Sequence, residues 1–156
     1  MNNNQLFKDL TSKMERFCDY QERSTFDVIK KLKLLNAPEV IIDDVIEYLT
    51  EKDFLNDLRY TTSFVYGKFS NKRWGRRKIY AALKTKRIDT TYINTALNSI
   101  DEDVYFETLE YICDIKVRSI GGVDSNNNKK KLLSFALQRG FESNLIWQYI
   151  NKVKNK

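Results

Sequence analysis

Lys68–Ile100 reads KFSNKRWGRRKIYAALKTKRIDTTYINTALNSI. Ile79, Ala82 and Leu83 recur at helical spacing, which predicts a helix over Gly75 to Lys86. Asp89 is placed to cap a following helix with Ile93, Ala96, Leu97 and Ile100 on one face. The same pair of helices occurs twice more. Val28, Ile29 and Leu32 precede Ile79, Tyr80 and Leu83 by 51 residues, and Leu132, Leu133 and Ala136 follow them by 53. In the second helix Ile42, Val45, Ile46 and Leu49 precede Ile93, Ala96, Leu97 and Ile100 by 51, and Ile146, Tyr149, Ile150 and Val153 follow by 53. Two amphipathic helices agree at some register by chance; two helices and their connector in three copies are a stronger signal. The expected fold is all-α: three tandem three-helix repeats at 1–52, 53–100 and 101–156. Units this small bury their faces partly against neighbours, so the array is expected to be elongated and curved.

The remaining helices follow from the same spacing. Leu6, Leu10, Met14 and Phe17 mark the first. Ser24 or Thr25 can cap the second, which Asn36 ends, and Pro38 suits the first turn of the third. Asp53 is the expected N-cap of a longer helix with a stripe of Phe54, Leu58, Thr61, Val65 and Phe69, broken at Ser70–Asn71. Asp101, Glu102 and Asp103 open the seventh helix, where negative charge complements the N-terminal dipole. Gly121 to Asn128 reads as a polar loop, Lys129 to Arg139 as the eighth helix and Gly140 as its stop.

Composition narrows the function classes. A single Pro and five Gly among 156 residues argue against a sandwich or barrel rich in tight turns. No apolar run approaches the roughly 20 residues that cross a bilayer, and MNNNQLFKDL carries no signal-peptide apolar core. There is no histidine, which removes a Cys–His nucleophile, a Ser–His triad and a His-ligated metal. Cys18 and Cys113, the two cysteines, are expected to be buried thiols. The protein reads as soluble, reduced and cytoplasmic. With no Gly-rich phosphate loop, no GK[ST] and no dinucleotide fingerprint, it shows no enzyme signature and no cofactor or metal is expected.

Charge is segregated. Residues 68–87 hold nine Lys/Arg and no acid, whereas the other 136 positions carry 18 basic and 21 acidic residues. Residues 88–115 have seven acids and no base, and residues 116–156 have nine bases and two acids. A basic face on a folded helix is the footprint of a protein that meets phosphates. Lys68, Lys72, Arg73, Arg76, Arg77 and Lys78 are the candidate cations, with Trp74 among them. Trp74 could stack on a base, or pack between helices beside Gly75, where close helix approach is open; the second reading is favoured. Lys129, Lys130 and Lys131 at a helix start oppose the dipole, which fits either a second anion contact or a solvated end. Asp101, Glu102, Asp103 and Glu107 are better explained by a helix N-terminus than by a metal. Asp57, Arg59 and Tyr60 suit an internal ion pair or a partner contact.

These residues also carry a likeness. FLNDLRY (Phe54–Tyr60) followed by KRWGRRKIYAALKTKRI (Lys72–Ile88) resembles the central signature of the RecX family of bacterial recombination regulators. QERS (Gln21–Ser24) and QRGF (Gln138–Phe141) resemble, more loosely, the matching places of the first and third repeats. The chain departs from the pattern at Arg76, where many members have Pro, at Arg87, where Gly is usual before Ile88, and at Thr61, where a small Ala is common. The resemblance implies three three-helix repeats and binding in the groove of the RecA–single-stranded-DNA filament, damping strand exchange, ATP hydrolysis and repressor self-cleavage. It places the filament or DNA contacts on Arg59, Lys72, Arg73, Trp74, Arg76, Arg77 and Lys78, with Lys68, Lys129, Lys130 and Lys131 joining them by charge. The expected partners are the RecA filament and single-stranded DNA, with no membrane and a monomeric chain. The alternative is a helical protein that binds nucleic acid generally, without a recombinase.

Overall fold

The computed structural model describes residues 2–154. Among them the chain forms helices α1 (Asn3–Tyr20), α2 (Thr25–Leu34), α3 (Glu39–Glu51), α4 (Asp57–Ser70), α5 (Arg76–Thr85), α6 (Thr90–Asn98), α7 (Glu102–Ile120), α8 (Asn126–Gln138) and α9 (Ser143–Lys154), and no strand. The fold is an all-α helical repeat.

Side-chain caps set most of the helix starts. Ser24 is fully buried and closes a capping box with Asp27: each side chain accepts the other's backbone N–H. Asp101 accepts the amides of Asp103 and Val104 at the head of α7. Two starts differ from the sequence expectation. Asp53 does not cap α4. It follows α3 with φ 63°, and the α4 cap is Asn56, whose side chain accepts the Arg59 amide at 3.0 Å. α8 begins at Asn126 rather than Lys129, because the Ser125 hydroxyl accepts the Asn128 amide at 3.1 Å and draws the asparagines into the first turn. Lys129–Lys131 therefore lie one turn inside the helix, where the dipole penalty has largely faded.

The repeat is visible in the backbone as well as in the core. Asn36 (φ 62°), Arg87 (φ 56°) and Gly140 (φ 99°) are left-handed, at the offsets of 51 and 53 residues already seen in the apolar pattern. Each ends the middle helix of its set in the same way. The left-handed residue donates to the carbonyl three residues back: Asn36 to Lys33, Arg87 to Lys84 and Gly140 to Leu137. The next residue turns inward, and Ile88 and Phe141 are buried there. Val28, Ile79 and Leu132 are all fully buried, as are Leu32, Leu83 and Ala136.

Two compact units share the chain. The first runs up to Phe64 and takes in Lys84–Tyr92. In it α1 and α2 pack on α3 around Leu10, Met14, Val28, Leu32, Val45 and Leu49. The second holds Val65–Leu83 and the chain from Ile93 onward. Here α7, α8 and α9 pack together, and Tyr105 stacks between Phe69 (5.8 Å between centroids) and Phe141 (5.1 Å). The helices α4, α5 and α6 contribute residues to both units.

Candidate nucleic-acid interface

The loop from α4 to α5 carries most of the candidate cations. α4 closes with the Arg73 amide donating to Phe69 O (3.1 Å) and the Trp74 amide to Lys68 O (3.0 Å), which requires Arg73 to be left-handed at φ 54°. That bend turns the chain abruptly and puts Gly75 against the α8–α9 turn. The Gly75 amide donates to Arg139 O at 2.7 Å, and the Arg77 amide to Gly140 O at 3.0 Å. Two donors at the head of α5, which would otherwise need water, are thus met by the end of α8. In return the Arg139 guanidinium donates to Lys72 O at 2.7 Å and to Arg73 O at 3.3 Å. The stretches RWGRR and QRGF, far apart in sequence, are each other's contact.

Arg76 faces inward. Its guanidinium pairs with Glu142 at 2.8 Å and Glu102 at 2.6 Å and lies 3.7 Å from the Tyr105 ring centroid. Its amide donates to the Tyr105 hydroxyl at 2.9 Å, and that hydroxyl donates to Glu142. Burial works against the guanidinium charge, but the hydrogen bonds to Glu102 and Glu142 outweigh it and hold Arg76 above the ordinary arginine value. Burial, reinforced by Glu142, pushes the Tyr105 phenol well above its ordinary range. Arg76 therefore ties the head of α5 to α7 and to Glu142, the residue just before α9. The first unit makes the related contact with other residues: the Thr25 amide, 51 positions earlier, donates to Asp57 at 2.8 Å.

The other basic side chains of this loop stay outside. Lys72, Arg73 and Arg77 are exposed, and none of them forms an ion pair among the described residues. Arg73 lies over Tyr111 at 4.4 Å. Trp74 is half-buried, with the ammonium groups of Lys68 and Lys78 over its ring at 4.8 and 4.4 Å. Its indole thus has both a packing role and two cations beside it.

Lys68, Lys72, Arg73, Trp74, Arg77 and Lys78 form one group along the end of α4, the loop and the start of α5. Lys130 and Lys131 sit elsewhere in the same unit, where with Lys116 they line a groove of about 420 Å³ floored by Phe135. Lys116 lies 5.2 Å from that ring. Lys129 is turned to Lys154, whose ammonium holds it below the ordinary lysine value. Arg59 belongs to the first unit and is held by Glu22 at 2.7 Å, by Asp53 at 3.1 Å and by the carbonyls of Asp53 and Phe54. The acids of the α7 head are also assigned: Asp101 caps the helix and Glu102 pairs with Arg76. Sequence reasoning missed Lys116, Tyr105 and Glu142. The signal for Glu142 was its place directly after QRGF.

Comparison with known proteins agrees with this architecture. Residues 56–97 match the family described as RecX, second three-helix domain. The chain is 29% identical over 143 residues to the regulatory protein RecX of Clostridium tetani (strain Massachusetts / E88), covering 90% of this chain and 63% of that protein. It is 24% identical over 134 residues to the regulatory protein RecX of Limosilactobacillus reuteri (strain DSM 20016), covering 86% of this chain and 51% of that one. The chain thus spans between about half and two thirds of these relatives. The crystal structure of RecX from Lactobacillus salivarius superposes with a TM-score of 0.87 at 22% identity, covering 96% of this chain and 97% of that one, a likeness of fold. The chain is thus similar to RecX regulatory proteins along nearly its whole length, with the RecX second three-helix domain matched at residues 56–97 and the fold of a RecX crystal structure shared.

Proposed function

We propose that this chain binds the RecA–single-stranded-DNA filament and modulates it, mainly by inhibiting recombinase, ATPase and coprotease activities. The observation that carries the reading is the α4–α5 loop. Its backbone is locked by Gly75, Arg76 and Arg139, while Lys72, Arg73 and Arg77 remain exposed without ion pairs among the described residues. A rigid backbone presenting unpaired cations loses little side-chain freedom beyond the cations themselves on meeting a phosphate track. Lys78 and Lys68 with Trp74 extend that edge, and Lys116, Lys130 and Lys131 offer a second anion contact. Arg59 and Arg76, by contrast, act by positioning: each already holds carboxylates of its own chain. The three repeats at 1–52, 53–100 and 101–156 belong to the same proposal, supported by the shared left-handed turns at Asn36, Arg87 and Gly140.

The test is ATP hydrolysis by RecA on single-stranded DNA, titrated with this chain. Inhibition well below one chain per recombinase supports binding along the filament. No effect from folded protein overturns the reading in favour of free nucleic acid.

A further inference from the structure

The first unit contains a second charged feature, separate from the residues assigned to the filament. Between α2 and the α5–α6 turn lies a pocket of about 540 Å³. Phe26, Ile29 and Leu34 supply its apolar surface, and Leu34 is 71% exposed. Lys30, Lys33, Lys86 and Arg87 rim it. Lys86 is held by Asp27 at 2.6 Å, and the Arg87 guanidinium lies 5.3 Å from the Phe26 ring centroid. Lys30, Lys33 and Arg87 form no ion pair among the described residues. The one acid in the wall, Asp57, accepts the Thr25 amide at 2.8 Å.

We propose that this pocket is a docking site for an acidic, amphipathic segment of a partner protein. Such a segment would place a large apolar side chain against Phe26, Ile29 and Leu34 and its carboxylates beside Lys30, Lys33 and Arg87. Two properties choose this occupant. The floor is aliphatic and aromatic, and a phosphate backbone gains nothing from covering Ile29 and Leu34, whereas an apolar side chain does. The rim is cationic on several sides, so carboxylates flanking the anchor gain and a basic or neutral segment does not. Arg87 strengthens the case: it holds a left-handed backbone that favours glycine, and its side chain is what brings a cation over the Phe26 face. The proposal goes beyond filament binding and is independent of it, because the pocket contains none of the α4–α5 loop residues.

The probe is a short synthetic peptide of Asp and Glu carrying one Leu and one Phe a helical turn apart. It is titrated into the full isotope-labelled chain, with amide shifts followed by NMR. Shifts concentrated at Thr25–Leu34 and Lys86–Arg87 are expected. A version with Ser in place of Leu and Phe should bind about tenfold more weakly, the loss of an apolar anchor. Leu34→Asp and Lys30→Glu/Lys33→Glu, both at exposed positions, should each abolish the shifts while thermal unfolding stays near wild type. Equal affinity for the Leu/Phe and Ser peptides, or shifts confined to Lys68–Lys78, overturns the proposal. So does oligothymidylate shifting the α2 amides where the peptide does not, which would make the site a nucleic-acid contact.

Discussion

Gly75 and Gly140 meet backbone to backbone. A Cβ on Gly75 would stand 2.3 Å from the Gly140 carbonyl carbon, and one on Gly140 would stand 2.4 Å from Lys78 Cβ. No side-chain adjustment relieves the first clash, because the atoms opposing it are main chain. Gly75→Ala should therefore destabilise the protein by about 3 kcal/mol, at the upper end of overpacking costs. Chemical denaturation measures this directly, and a loss under about 1 kcal/mol would show that the α8–α9 turn yields easily.

Arg76 tests the distinction between positioning and contact. Arg76→Met removes the charge bound to Glu142 and Glu102 but keeps most of the side chain's apolar bulk. It leaves Glu142, whose side chain is 26% exposed, beside an aromatic cluster without its cation. A loss of about 2 kcal/mol in stability is expected, the usual scale for a hydrogen bond to a charged group. Lys72→Ala/Arg77→Ala should leave the denaturation midpoint within about 0.5 kcal/mol of wild type, as exposed substitutions do. The reverse ranking would move Arg76 to the surface edge.

Arg87 sits at φ 56° with a side chain that glycine would not carry. Arg87→Gly should relieve the left-handed penalty and raise stability by about 1 kcal/mol, allowing for glycine's greater unfolded freedom. The same change should weaken the acidic probe peptide. A variant that gains stability and keeps peptide affinity would remove Arg87 from the pocket's rim.

Alkaline pH should expose the buried phenols. Burial, with the Asp27 and Asp57 carboxylates adding to it, pushes Tyr60 from 10.0 up to about 12. Tyr105 and Tyr149 are raised as well, each chiefly by burial and then by a carboxylate partner. A raised folded value keeps the proton on in the native state. Stability from Tyr60 is therefore complete below pH 10 and falls between pH 10 and about 12, and that from Tyr105 and Tyr149 also falls from pH 10 upward. Denaturation midpoints measured across that range should drop, with ionisation of Tyr60, Tyr105 and Tyr149 delayed beyond pH 10 in the folded chain. One transition near pH 10 for all nine tyrosines would contradict the packing around Tyr60, Tyr105 and Tyr149.

Cys18 and Cys113 are buried, and desolvation raises them to about 11 and about 12. At pH 8 the folded chain should react negligibly with a disulfide reagent and release both thiols on denaturation. Fast labelling of the native protein would show local opening of α1 or α7.

The periodic apolar pattern carried the fold, because burial of Val28, Ile79 and Leu132 obeys helical spacing that a sequence displays directly. Two helix starts were misread for a local reason. Asp serves both as a cap and as a left-handed turn residue, and Asp53 takes the second role, while Asn126–Asn128, read as loop, are drawn into the first turn of α8 by the Ser125 cap. The basic stretch was visible as charge, but which cations face inward was not. Arg76 and Arg77 are adjacent, and Arg76 is turned to the interior by Glu102, Tyr105 and Glu142, the last of them 66 residues away. The α2 pocket was likewise hidden, since Lys30 and Lys33 meet Lys86 and Arg87 through folding rather than through sequence.

The most direct test of filament recognition compares two surfaces side by side: single-stranded DNA coated with RecA, and the same DNA bare. The chain's affinity for each is measured at one salt concentration, with the Lys72→Ala/Arg77→Ala variant alongside. The account predicts tighter binding to the coated DNA, lost in the variant. Equal affinity for both surfaces, or a folded variant that binds the filament as wild type does, would contradict it.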